Sequence, residues 1–234
     1  MSEDNLNLIL VAGLWLDGSI WTDTADELVR RGHRPVALTL PGQGGVADAT
    51  LDDQLATLLG AIDAAESPVL VGHSAACTLV WMAADRRADV VRRVVMIGGF
   101  PGTSGSAYAD FFEITDGAMP FPGWEPFEGP DSADLDDEAR RRIADNAIAV
   151  PAAVATGVVE LRDEQRFEIP VTLICPEFSP DEAKGWVEGG EVPELARARA
   201  VTYVDIDSGH WPMVTRPGDL ARLLDEIATE KAAR

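Results

Sequence analysis

Ser67-Pro68-Val69-Leu70-Val71-Gly72-His73-Ser74-Ala75-Ala76 is the stretch that decides how this chain reads. Val69, Leu70 and Val71 form the apolar run of a buried strand, and Cys77, Leu79, Val80 and Trp81 open an amphipathic segment. A serine at a sharp strand-to-helix turn takes a strained backbone conformation that lifts its hydroxyl off the sheet edge. Such a turn tolerates only small neighbours, and Gly72 and Ala76 stand two residues either side of Ser74. The stretch reads as a nucleophile elbow, G-x-S-x-G with Ala76 in place of the last glycine. Small residues around a serine also occur in turns that do no chemistry, so the rest of the chain has to decide.

Outward from the elbow, apolar runs alternate with helical spacing. Leu6 to Val11 is a strand covered on both faces, followed by the loop Ala12-Gly13-Leu14-Trp15. Ser19 to Arg31 is helical and Gly32 ends it. Pro35 to Leu40 is a strand closed by Pro41-Gly42-Gln43-Gly44-Gly45, and Leu51 to Ala65 is helical. A strand at Val90 to Ile97 ends in Gly98-Gly99. From Pro101 to about Glu168 the alternation stops, with Phe111, Phe112, Phe121, Trp124 and Phe127 among prolines and a polar helical segment from about Ser132 to Leu161. It resumes with a strand at Val171–Cys175, a helix near Asp181–Val187, a looser segment to Ala200 and a last strand at Val201–Ile206. Proline in its favoured first-turn place at Arg216-Pro217 starts a terminal helix. This order predicts an α/β fold, a mainly parallel sheet with helices on both faces. Residues 1–101 and 169–234 make the core, and 102–168 a small helical cap over Ser74.

Composition bounds the function. The chain has 234 residues, 46% of them apolar, enough for one α/β domain. No apolar run approaches the ~20 residues of a membrane span, and the acidic start Met-Ser-Glu-Asp-Asn is no signal peptide. Cys77 and Cys175 lie in apolar stretches, which reads as buried thiols in a cytoplasmic protein. A net charge of −21 excludes nucleic acid, whose phosphates would be repelled. His33, His73 and His210 show no metal-ligand spacing, so no metal site is expected. The expected partner is a small molecule, with no nucleic acid and no membrane; a homodimer is compatible with the sequence.

Serine is a poor nucleophile until a base takes its proton. The base has to come from a loop at the same end of the sheet, and His210 in Asp207-Ser208-Gly209-His210-Trp211-Pro212 follows the last strand directly. Its bland alternative is a structural histidine beside the terminal helix. His73 is expected to pack away from the elbow tip, and His33, after a helix end among arginines, to face solvent. Negative charge developing on a carbonyl oxygen needs donors. Candidates for this oxyanion hole are the backbone N–H of Ala75 at the helix start and that of Leu14, where Gly13 lets the backbone approach. The alternative for residues 12–15 is a plain strand-to-helix turn with Trp15, like Trp21, a packing aromatic.

The segments Leu8–Trp15, Gly32–Gly44, Val71–Ala76 and Ser208–Pro217 resemble α/β-hydrolase-fold esterases, closest to the small capped branch with plant methylesterases and hydroxynitrile lyases. The resemblance covers nearly the whole chain except residues 102–168. It implies Ser74 as nucleophile, His210 as base, Leu14 and Ala75 as oxyanion donors, and no cofactor. Two departures stand out: Ala12-Gly13 replaces the family's usual His-Gly, and the acid that orients the histidine is missing from its usual places. The position before the cap is Gly98-Gly99-Phe100, and the later position where aspartate is often found is Ser179. Glu177, nearer the strand end, is the preferred acid. Asp181 has a helix-start alternative, and Asp205 and Asp207 are close to His210 along the chain.

The expectation is a serine esterase or lactonase acting on a small apolar substrate through an acyl-enzyme. The first alternative is a hydroxynitrile-lyase-like enzyme, weakened because Lys184 and Lys231, the only lysines, fall in or near helices. The second, kept open by the missing standard acid, is a catalytically weak small-molecule-binding protein on the same fold.

Overall fold

The computed structural model describes residues 5–44 and 48–230. Residues 1–4 of the acidic start, Gly45 of the glycine-rich turn and Lys231 lie outside them. The chain runs β1 (Asn7–Val11), α1 (Thr22–Arg30), β2 (Arg34–Leu38), α2 (Leu51–Asp63), β3 (Val69–His73), α3 (Ala76–Arg86) and β4 (Arg93–Ile97). It continues with β5 (Ala118–Met119), α4 (Asp137–Asp145), β6 (Val150–Pro151), α5 (Ala152–Ala155) and β7 (Val171–Cys175). The last elements are α6 (Pro180–Glu188), α7 (Pro193–Arg197), β8 (Val201–Asp205), α8 (Pro212–Thr215) and α9 (Pro217–Thr229).

Six parallel strands lie in the order β2-β1-β3-β4-β7-β8. Every residue of β3, β4 and β7 is buried, which is why these strands read as unbroken apolar runs. Successive side chains of β1 enter opposite layers: Ile9 and Val11 pack with α2 and α3, whereas Leu8 and Leu10 pack with Leu28 of α1 and Leu220 and Leu224 of α9. Each such fully buried leucine contributes about 1.5–3 kcal/mol of transfer free energy.

The strand order reverses direction between β1 and β3. In sheets of this kind the crevice at that reversal, beyond the carboxyl ends of the strands, is where a ligand fits. The loop carrying Gly13 and the elbow carrying Ser74 leave these two strands.

Between β4 and β7 the chain leaves the sheet. Here the polar helix expected over Ser132–Leu161 is shorter. It spans Asp137–Asp145, with the Asp136 side chain accepting from Ala139 N–H at 2.7 Å. Asn146 ends the helix, its backbone N–H and side-chain amide both turning back to Arg142 C=O (3.3 and 2.7 Å), and beyond it Pro151 favours the extended form in which Val150 pairs with Met119. A second correction concerns His33, which is buried, not solvent-facing. Its Nδ1 accepts from Leu6 N–H (3.4 Å), so Nε2 carries the proton it gives to Asp225 (2.9 Å), tying β2 to α9. The looser segment before Ala200 holds the short helix α7, and α8 precedes the terminal helix.

Candidate functional site

Ser74 has φ of 55°, a left-handed conformation costing a serine of order 1–3 kcal/mol. The fold holds it there: Ser74 N–H donates to Ile97 C=O (2.8 Å), and the Ser74 C=O accepts from Cys77 N–H (3.0 Å) as α3 begins. The surroundings leave no room for larger residues. A Cβ on Gly72 would lie 2.7 Å from the Ala76 carbonyl oxygen, and one on Gly99 2.6 Å from that of Ser74.

His210 and Glu177 meet at the same sheet edge. His210 Nδ1 stands 2.7 Å from Glu177 Oε1, with both side chains only about an eighth exposed (12% and 13%). A carboxylate accepts, so Nδ1 carries a proton, and in the neutral ring that leaves the lone pair on Nε2. Nε2 has no hydrogen-bond partner among the described residues. The other carboxyl oxygen of Glu177, Oε2, is buried without a partner.

Two glycines missed as site residues at the sequence level make this assembly possible. A Cβ on Gly98, whose φ is 57°, would come within 3.1 Å of His210 Nδ1 and 3.2 Å of Glu177 Oε2. Gly98 therefore faces the His–Glu pair while Gly99 faces Ser74. Their signal was present in the strand-ending Gly-Gly, but only the packing shows what they touch.

The remaining carboxylates sort by position. Asp181 is exposed in the first turn of α6, and Ser179 and Glu182 cap that helix with a reciprocal pair of hydrogen bonds. Asp205 and Asp207 are exposed and make no hydrogen bond to His210. The chain between β4 and β7 brings one more carboxylate near. Burial first, then the charge of Glu177, raises Asp131 above the ordinary aspartate range, against a lowering by His210.

Gly13 packs on the elbow, where a Cβ would lie 3.0 Å from Ser74 Cβ and 3.0 Å from His73 Nδ1. The backbone N–H groups of Leu14 and Ala75 have no acceptor among the described residues. Beside this loop lies a cavity of about 20 Å³ lined by Gly13, Leu14, Trp15, Tyr108 and Ile148 among others. That holds a single water and no ester. A larger groove of about 540 Å³ runs between α4 and the loop after β1, with Ile148 lining both spaces and none of Ser74, His210 or Glu177 in its walls.

Aromatic rings cluster on Trp15, next to Leu14, and on Trp211, whose ring is 4.9 Å from that of His210. Trp15 meets Phe112 and Phe121 edge-on at 5.4 Å, and Trp211 meets Trp124 and Phe127 at 5.3 and 5.4 Å. Trp21 is fully buried in the opposite layer, and Cys77 and Cys175 are free buried thiols. Burial pushes both thiols up to about 12, so neither supplies a thiolate.

A parallel sheet with a serine on a left-handed elbow and a histidine–carboxylate pair at the same edge defines an α/β-hydrolase. The chain belongs to the alpha/beta hydrolase family, whose model matches residues 8–223. A carbendazim hydrolyzing esterase of Nocardioides sp. (strain SG-4G) is 36% identical over 101 residues, a match covering 40% of this chain and 42% of that esterase. The structure resembles an extracellular alpha/beta-hydrolase from a Paenibacillus species with a TM-score of 0.77 at 17% identity, covering 94% of this chain and 98% of that one. A methylesterase from Arabidopsis superposes with a TM-score of 0.72 at 15% identity, covering 96% and 99%.

Proposed function

We propose that this protein is a carboxylic ester hydrolase that works through an acyl-enzyme on Ser74. The observation that carries the reading is the 2.7 Å pair of His210 Nδ1 with Glu177 Oε1 at the edge where Ser74 is held in its strained elbow. Glu177 holds the tautomer in which His210 Nε2 is a base and stabilises the imidazolium that follows. Ser74 Oγ attacks the acyl carbonyl, and its proton passes to Nε2. The N–H groups of Leu14 and Ala75 hold the oxyanion. His210 then gives the proton to the leaving alcohol, and water, activated by the same nitrogen, releases the acid.

In this reading residues 102–168 are the cap, and Tyr108, Ile148 and Pro151 from it line the small cavity beside Leu14. The aromatic rings suit a small apolar ester or lactone, and similarity to a carbendazim hydrolyzing esterase and a methylesterase agrees with ester chemistry. The free buried thiols support a cytoplasmic setting, although one structural relative is described as extracellular. Among the described residues no helix is long and apolar enough to cross a membrane.

Lyase chemistry is the weaker reading, because Lys184 is exposed on α6 beside Glu188. A pure binding protein is weaker too, because Glu177 supplies His210 with the carboxylate missing from the usual positions. Fluorophosphonate labelling with mass mapping of the modified residue, beside turnover of a short-chain nitrophenyl ester, tests the proposal. Label on Ser74 with ester turnover supports it; an unlabelled Ser74 and no turnover overturn it.

A further inference from the structure

We propose that His73, the residue before the nucleophile, is a positioning residue that holds the main chain of His210 through a neutral imidazole N–H. The inference rests on the reading of His210 as the catalytic base.

The His73 ring is buried (1% exposed), and its Nε2 lies 2.8 Å from the His210 carbonyl oxygen. A carbonyl only accepts, so Nε2 carries the proton and Nδ1 is bare. Nδ1 is buried with no partner and sits against Gly13, an uncompensated polar atom that a residue present only to fill space would avoid. The ring centroid is 4.8 Å from that of His210. The His210 peptide is gripped from the other side as well, its N–H donating to the Asp131 carbonyl at 2.7 Å. The base therefore hangs between a donor from the elbow itself and an acceptor from the chain between β4 and β7.

The donor at this place has to be uncharged. In the reaction His210 becomes an imidazolium, and a cation 4.8 Å away would oppose its formation. Burial, with the nearby His210 as the second cause, holds His73 well below the ordinary imidazole range, so it donates as a neutral ring at neutral pH. Lysine or arginine would supply a donor with the wrong charge. Packing alone explains the burial of His73 but neither its tautomer nor its partner.

Paired substitutions separate these roles. A glutamine amide reaches the place of imidazole Nε2, and an asparagine amide reaches that of Nδ1. Three quantities are read for wild type, His73→Gln and His73→Asn: the rate of fluorophosphonate labelling at Ser74, kcat and KM on a nitrophenyl ester, and the far-downfield proton resonance of the His210–Glu177 hydrogen bond. His73→Asn is expected to lose about tenfold in labelling and kcat, the scale of one hydrogen bond, with KM little changed and the resonance shifted or broadened. His73→Gln should stay within about threefold of wild type. Equal losses in both folded variants, or wild-type rates and an unmoved resonance in His73→Asn, overturn the proposal. A wild type that is not labelled at Ser74 overturns the hydrolase reading instead, and the resonance then decides alone whether His73 holds His210.

Discussion

β3 and β4 pair along five residues each, all buried, whereas β5 and β6 pair at only two. The sheet is held by continuous backbone ladders between apolar strands. The chain between β4 and β7 is held by side chains: the aromatic rings around Trp15 and Trp211, and a buried polar network at the far end of α3. There Asp85 accepts from the N–H groups of Arg162 and Asp163 at 2.9 and 2.8 Å and from Arg166 Nη1 at 3.2 Å. Arg166 Nε and Trp81 Nε1 both donate to Glu194 Oε2 at 2.9 Å. Helix α3 thus has Ser74 at its entry and Asp85 at its exit. In the proposed function one end serves chemistry, and the other fixes where the returning chain lands.

Substitutions at the two ends of α3 should have distinct signatures. Ser74→Ala is expected to abolish turnover, a loss on the order of 10⁶ in kcat, with an unchanged melting temperature; retention of a tenth of the wild-type rate would break the contrast. Asp85→Ala removes a buried carboxylate, leaves Glu194 as the one anionic partner of the buried Arg166 among the described residues, and strands two backbone donors. It should cost about 3–5 kcal/mol in denaturant unfolding, and a loss below about 1 kcal/mol would mean that the network contributes little to holding the returning chain. Glu177→Gln should lower kcat by at least about a hundredfold with little loss of stability.

The smaller effects sharpen the same division. Leu14 is assigned a role through its backbone, so Leu14→Ala should change the ratio of rates for large and small esters more than the rate on a minimal ester. A proportional change in both, with a lowered melting temperature, would point to a merely structural turn. Asp181→Asn should cost a few tenths of a kcal/mol through the lost first-turn charge of α6 and leave kcat unchanged. If it instead matched the loss expected of Glu177→Gln, the acid would be Asp181.

The parallel sheet, the elbow at Ser74, the loop of Gly13 and Leu14, and the proposed base His210 were legible in the sequence because each is a local pattern. A strand facing two layers must be apolar throughout, a tight elbow must be flanked by small residues, and the helix-ending Gly32 has the positive φ of 94° that favours glycine. Glu177 was a choice among carboxylates, and the sequence could narrow it only by distance from the strand end. The tertiary structure alone decided the rest. It buried His33 against Asp225 on a helix nearly two hundred residues away, stopped the expected helix at Asn146, and turned His73 from a packing residue into a donor to His210. It also faced Gly98 and Gly99 onto the site. Partners such as these are set by where separate loops arrive at one sheet edge. Neither apolar periodicity nor turn propensity encodes that arrival, because it depends on strand order and on the packing of elements distant along the chain.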